Sequence, residues 1–156
     1  MVNVETLLYI IKDGKILLIE KKRGLGKGLY NGVGGKVEEG ETPIQAAIRE
    51  CKEEIGVEPK NVEWKGVIEF INDGSVYSYV HVFTANDYEG EIKETDEAKP
   101  VWFPLSEIPY DKMWEDDRTW LPTIIEKNKM IYASFEFVNN WGKIVKSSVY
   151  ELKKII

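Results

Sequence analysis

The chain has 156 residues, which fits one domain of roughly 100–200 residues. Hydrophobic residues make up 43% and aromatics 12%, enough for a sizeable core and enough to exclude disorder and collagen. A net charge of −6, from 21 basic and 27 acidic residues, disfavours a polymeric nucleic-acid partner but leaves small anionic substrates open.

The first predicted element is a hairpin from Thr6 to Glu20. Its apolar runs Leu7–Ile11 and Ile16–Ile19 flank Asp13-Gly14, a pair that tolerates the positive φ of a tight turn. Lys21 to Gly35 carries six glycines and four basic residues and reads as a long, flexible, positive loop. A helix follows over Pro43–Ile55. Thr42 is its N-cap, Gln45 completes a capping box, and Gly56 stands where a left-handed cap belongs. Strands are expected at Val62–Ile71 and Val76–Thr84, joined by Asn72-Asp73-Gly74-Ser75, with alternating faces in the second. An acidic stretch, Tyr88–Glu97, precedes a short strand at Val101–Phe103. A second helix is expected over Asp117–Lys129, bent or started near Pro122. The tail reads as a hairpin, Ile131–Phe137 and Ile144–Leu152, turning at Asn139-Asn140. The pattern is α+β: one mixed domain over 1–156 with helices packed on a sheet.

Cys51 is the single cysteine, so no intrachain disulfide can form and a reducing, cytoplasmic compartment is expected. Leu7–Ile11 is too short for a signal core or a membrane span, so no membrane partner is expected either.

Chemistry concentrates on the first helix. Ile44, Ala47, Ile48, Cys51 and Ile55 recur at helical spacing and form the expected buried stripe. Glu50, Glu53 and Glu54 fall within about 100° of one another on a different face. Carboxylates crowded there repel one another, and a hard divalent cation would relieve that repulsion. On its own such a cluster is also the pattern of a solvated acidic face.

The surrounding spacing is more specific. Residues 35–57, GKVEEGETPIQAAIRECKEEIGV, follow the pattern GX5EX7REUXEEXGU without a gap, through Gly35, Glu41, Arg49, Glu50, Glu53, Glu54 and Gly56. On this string the chain resembles the Nudix hydrolases, which cleave a nucleoside diphosphate linked to another group with a divalent metal. The resemblance implies a Nudix fold, a mixed sheet between helices. It also implies metal ligation by Glu50, Glu53, Glu54 and the Gly35 carbonyl, with magnesium the expected ion and manganese a substitute. Arg49 lies four residues before Glu53, close enough to hold it, and Glu53 or Glu54 is expected to accept a proton from the attacking water.

A narrower likeness spans most of the chain. The strings KKRGLGKGLYNGVGGKVEEGET, VHVF, PVWFPLSEIP and DKMWEDDRTWLP resemble the oxidised-purine nucleoside triphosphatase branch. That branch implies hydrolysis of nucleotides such as 8-oxo-dGTP to the monophosphate and pyrophosphate. A monomer is the expected state, with a dimer the alternative. Asn31, Trp114, Asp116 and Asp117 match its purine-contacting elements. Asn31 offers donor and acceptor, Trp114 a stacking face, and paired Asp carboxylates do not easily both ionise. Lys21 matches a pocket lysine and Glu97 an extra acidic position near the metal, while Thr6 and Phe70 complete the implied substrate contacts. Leu25, Ser78 and Ala98 depart from the pattern, standing where an aromatic and two methionines shape the base pocket. Hydrolysis of another nucleotide, ADP-ribose or a dinucleoside polyphosphate, and a noncatalytic nucleotide sensor are the alternatives, the last disfavoured by the intact glutamates. His81, mid-strand between Tyr79 and Phe83, and Cys51, on the apolar stripe, read as packing residues.

Overall fold

The computed structural model describes residues 1–153. Eleven strands and two α-helices are found among them: β1 (Asn3–Lys12), β2 (Lys15–Lys21), β3 (Tyr30–Asn31), β4 (Val33–Lys36), α1 (Pro43–Ile55), β5 (Glu58–Lys60), β6 (Glu63–Asn72), β7 (Ser75–Ala85), β8 (Asp87–Glu89), β9 (Ala98–Pro104), α2 (Asp117–Ile125), β10 (Met130–Val138) and β11 (Lys143–Leu152). The large mixed sheet runs β11-β10-β6-β7-β1-β2-β3, with β4 on β1 and β9 on β2. β1 pairs parallel with β7, and β10 parallel with β6. The architecture is α+β, as the alternation of strand and helix patterns implied.

The β1–β2 hairpin opens as it leaves its turn. Asp13 and Gly14 adopt positive φ, as the turn chemistry required, and the arms pair only from Ile10–Leu17 to Lys12–Lys15. Beyond that, β1 takes β4 as its partner and β2 takes β3. The segment read from its glycines as a flexible loop therefore contains two short strands. At Gly34 close approach explains the glycine better than flexibility: a Cβ there would lie 1.7 Å from the Thr6 carbonyl oxygen.

Two cores form on the two faces of the sheet. α2 packs through Trp120, Leu121 and Ile124 with Tyr9, Ile68, Val82 and Phe135; α1 packs through Ala47, Cys51 and Ile55 with Leu8, Ile10 and Leu17. Helix α1 has the predicted bounds. Gln45 N donates to Thr42 Oγ1 at 3.3 Å, Thr42 N donates to Gln45 Oε1 at 2.9 Å, and Gly56 closes the helix in the left-handed region.

Its stripe, however, is rotated. Ile44 is exposed and Ile48 half-buried, whereas Ala46 is fully buried. Glu50 lies against Gly35 of β4, and Glu50 and Glu54 are half-buried rather than on a separate solvated face. Three other expectations also change. Helix α2 ends at Ile125 rather than Lys129, and Asn128 reverses the chain at φ 52°. β9 is longer than Val101–Phe103 because its whole length pairs with β2. The acidic stretch begins with β8, which pairs with β5.

His81 Nδ1 accepts a hydrogen bond from Trp64 Nε1 at 3.0 Å, and partial burial lowers its pKa. Both fit a neutral packing residue. Cys51 is fully buried, and burial pushes its thiol up to about 12. Cys51 should therefore resist iodoacetamide in the native protein and react only on unfolding. Cys51→Ala should cost about 1–2 kcal/mol in denaturant titration without changing the fold.

Candidate functional site

Arg49 organises the acidic face of α1. Its Nε and Nη2 each donate to Glu41 at 2.8 Å, Nη1 donates to Glu50 at 2.8 Å and to Glu53 at 3.2 Å, and Nη2 reaches the Lys36 carbonyl at 3.1 Å. Helix, strand end and connecting loop are thereby tied to one cation. The guanidinium beside Glu41 holds that carboxyl down to about 2, and the acidic surroundings raise the proton affinity of Arg49 in turn. Glu50 rests on β4, where a Cβ on Gly35 would come within 2.7 Å of its carboxyl carbon. Burial raises the Glu50 pKa despite the contact with Arg49.

Glu54 differs from its neighbours. The residue is half-buried, Arg49 makes no hydrogen bond to it, and its Oε2 is shut off from solvent without a hydrogen-bond partner. Burial first, and then the charge of Glu50, push its carboxyl up to about 8. Glu53 is exposed and, among the described residues, held by Arg49 alone. Among the described residues, no group of three His, Cys, Asp or Glu side chains is arranged to hold a metal ion as it stands. The donor chemistry nevertheless fits a hard divalent cation: Glu50 and Glu54 are crowded oxygen donors, and one buried oxygen of Glu54 has no partner. Glu97 is engaged elsewhere, since Arg23 Nε donates to it at 2.9 Å and lowers its pKa.

A cavity of about 360 Å³ lies beside these glutamates. It is lined by Glu54, Gly35 and Glu97 together with Thr6, Lys21, Asn31, Phe70, Trp114, Asp116 and Asp117. Ten of the residues picked out from the sequence thus meet in one hollow, while Arg49, Glu50 and Glu53 stand outside its lining. Of the departures noted in the sequence, Leu25 and Ser78 line the cavity, and Ala98 is fully buried outside its lining.

The polar groups of the cavity are unevenly satisfied. Asn31 Oδ1 accepts from Gly32 N at 2.8 Å and from the Tyr9 hydroxyl at 3.4 Å, so the amide Nδ2 is what this side chain has left to offer. Asp116 accepts from Trp120 Nε1 at 2.8 Å. Asp117 is fully buried and its Oδ2 has no partner. Burial, reinforced by the neighbouring charge, raises the pKa of this pair, which favours a shared proton. Among the described residues, the buried side-chain atoms without a partner are Thr6 Oγ1, Glu54 Oε2 and Asp117 Oδ2, and all three residues line this cavity. Each unmet group costs about 1–3 kcal/mol, so a polar ligand that meets them recovers that energy on binding.

Sequence reasoning missed Phe137, Tyr77 and Trp141, which also line the cavity. Their aromatic character was visible, but only strand pairing shows that β7, β10 and the turn after β10 deliver them to the same place.

Comparison with known proteins bears on the family and the fold. The family model described as NUDIX domain matches residues 3–124. The oxidized purine nucleoside triphosphate hydrolase of Danio rerio is 43% identical over 134 residues, covering 84% of this chain and 85% of the relative. The enzyme of the same name from Mus musculus is 41% identical over 125 residues, covering 80% of each. The crystal structure of a MutT protein from Bacillus halodurans superposes with a TM-score of 0.85 at 24% identity, covering 95% of this chain and 97% of that one, and supports the fold.

The half-buried Glu54 makes a pH prediction for metal-chelated protein. Its folded-state pKa lies near 8, above the ordinary value of 4.5, so the fold prefers the protonated form. Folded protein then holds a proton that unfolded protein has released, and stability falls as pH rises from about 5 to 8. Glu54→Gln should match wild type in melting temperature at pH 5 and exceed it by several degrees at pH 8. Equal melting temperatures at both values would contradict the burial of this charge.

Proposed function

The chain belongs to the Nudix family, and from that membership we propose that it hydrolyses oxidised purine nucleoside triphosphates, such as 8-oxo-dGTP, to the monophosphate and pyrophosphate. The observation that carries this reading is the cavity shared by Glu54 and the Asp116–Asp117 pair, whose unpartnered oxygens call for a ligand polar at both of these places. The two vertebrate relatives carry this activity in their names.

Nudix hydrolases use divalent cations, and magnesium is the ion proposed here, with manganese as a substitute. Glu50, Glu53, Glu54 and the Gly35 carbonyl would hold it, with Glu97 a further ligand if released from Arg23. When bound, the cation supplies charge neutralisation at the phosphates and a more acidic water.

The remaining steps fall to the chain's own groups. Arg49 keeps Glu53 and Glu50 in place by the hydrogen bonds described above, and a carboxylate of Glu53 or Glu54 accepts the proton of the attacking water. Lys21, on the cavity wall, offsets phosphate charge. At the base, Asn31 donates through Nδ2 and Trp114 covers the ring face. The proton held by the aspartate pair lets one carboxyl donate to a purine carbonyl while the other accepts from an amine or imide N–H. Thr6 and Phe70 complete the cavity around the nucleotide. The protein is taken as a monomer in the cytoplasm with a small-molecule substrate and neither a membrane nor a polymeric nucleic acid as partner. The single cysteine fits a reducing compartment and the acidic charge disfavours a polymeric nucleic acid. No helix among the described residues is long and apolar enough to cross a membrane.

A pyrophosphate-release screen with magnesium over 8-oxo-dGTP, dGTP, ADP-ribose and dinucleoside polyphosphates tests the proposal. It expects the highest efficiency for the oxidised purine; ADP-ribose as the best substrate would overturn the base assignment. Glu54→Gln should lose more than a hundredfold in turnover, corresponding to about 3 kcal/mol of transition-state stabilisation. Asp117→Asn should lower kcat/KM for 8-oxo-dGTP by roughly tenfold to a hundredfold, mainly through KM, with unchanged metal affinity.

A further inference from the structure

We propose that Trp141, on the turn between β10 and β11, is a specificity-determining residue that favours bicyclic bases, and that Asp73, on the neighbouring turn between β6 and β7, positions it. The proposal rests on the reading above that the cavity receives a nucleobase.

The indole of Trp141 lies on the cavity wall and meets Tyr77, Phe137, Trp114 and Phe70 at ring-centroid distances of 5.1, 5.2, 6.2 and 6.5 Å. Trp114, the ring expected to cover the base, is thus bounded by Trp141 and Phe137 on one hairpin. The backbone of Gly26 approaches it from another segment, where a Cβ would lie 3.1 Å from Trp114 Nε1. Trp141 therefore contributes apolar wall and also limits where Trp114 can move.

The backbone at this turn is costly. Asn139, Asn140 and Trp141 all have positive φ, of 58°, 53° and 68°. Asparagine tolerates that region, but a bulky aromatic rarely occupies it. Such a conformation persists only where its surroundings over-determine it, and here the adjacent turn does so. Asp73 Oδ1 accepts from Asn139 N at 2.9 Å and Oδ2 from Asn140 N at 3.1 Å, while Asn72 Oδ1 accepts from Trp141 N at 3.1 Å. Asp73 N donates in turn to the Phe137 carbonyl at 2.9 Å. Asp73 does not line the cavity, so it acts on the base only through the hairpin it grips.

An indole wall offers more contact to a two-ring purine than to a one-ring pyrimidine, and it supplies no group for the reaction itself. Its effect belongs in KM and in base choice, not in kcat. Steady-state kinetics of the full chain with magnesium, comparing 8-oxo-dGTP with dCTP, reads both. Trp141→Ala should raise KM for 8-oxo-dGTP about tenfold, the scale of one lost aromatic contact to a base, while kcat stays within about twofold and dCTP changes little. Trp141→Phe should recover most of the loss. Asp73→Gly, which keeps the positive φ accessible but removes both acceptors, should raise KM for 8-oxo-dGTP with kcat unchanged.

An unchanged KM in Trp141→Ala, beside an impaired Asp117→Asn, would overturn the role of Trp141 and leave the base pocket standing. Loss of kcat on both nucleotides in Trp141→Ala and Trp141→Phe alike would mark a purely structural residue and also overturn it. If Asp117→Asn and Trp141→Ala are both indistinguishable from wild type, the base-pocket reading falls together with this one.

Discussion

The site depends on one cation placed among acids. Arg49 binds Glu41 through two nitrogens, touches Glu50 and Glu53, and reaches the Lys36 carbonyl, so a single guanidinium fixes the helix relative to β4 and the loop between them. Without it, carboxylates within one turn of helix would repel one another and fray toward solvent. The planar fork of arginine suits this task, since lysine cannot present parallel donors to Glu41 while serving two other carboxylates. The exception is as informative as the network. Glu54, which Arg49 does not bond, keeps a buried oxygen without a partner.

The second constraint is the opening of the first hairpin. Once β1 and β2 part, each recruits a short strand from the glycine-rich segment, and the space beside them becomes the cavity. Close approach to the Thr6 backbone leaves room for no Cβ at Gly34, and a Cβ at Gly35 would displace the Glu50 carboxylate. Polar atoms that the fold leaves unmet collect in this hollow at Thr6, Glu54 and Asp117. A fold stabilised by only about 5–15 kcal/mol overall tolerates such a concentration where a ligand resolves it.

Much of this was legible in the sequence because it is local. The Thr42–Gln45 capping box, the left-handed Gly56, the Asp13-Gly14 turn and the spacing from Gly35 to Gly56 are short-range chemistry, and each appears in the structure where it was read. What escaped was set by pairing between distant segments. The glycines of residues 24–35 signalled mobility, yet Gly34 and Gly35 serve close packing in β4, a distinction that composition cannot make. Helical periodicity gave Ala47, Cys51 and Ile55 of the apolar stripe of α1, but not that Ala46 is buried while Ile44 is exposed, nor that Glu54 is half-buried. Trp141 was invisible as a site residue because its place depends on a turn held by Asp73, 68 positions earlier in the chain.

The central claim is that one cavity takes the base at Asn31, Trp114, Asp116 and Asp117 and directs the phosphates toward Glu50, Glu53 and Glu54. A crystal structure with magnesium and a nonhydrolysable imido analogue of 8-oxo-dGTP tests it most directly. The account predicts the purine edge against Asn31 Nδ2 and the aspartate pair, its face on Trp114, and the triphosphate beside the glutamates of α1. A purine lying outside this cavity, with the aspartate pair untouched, would contradict it.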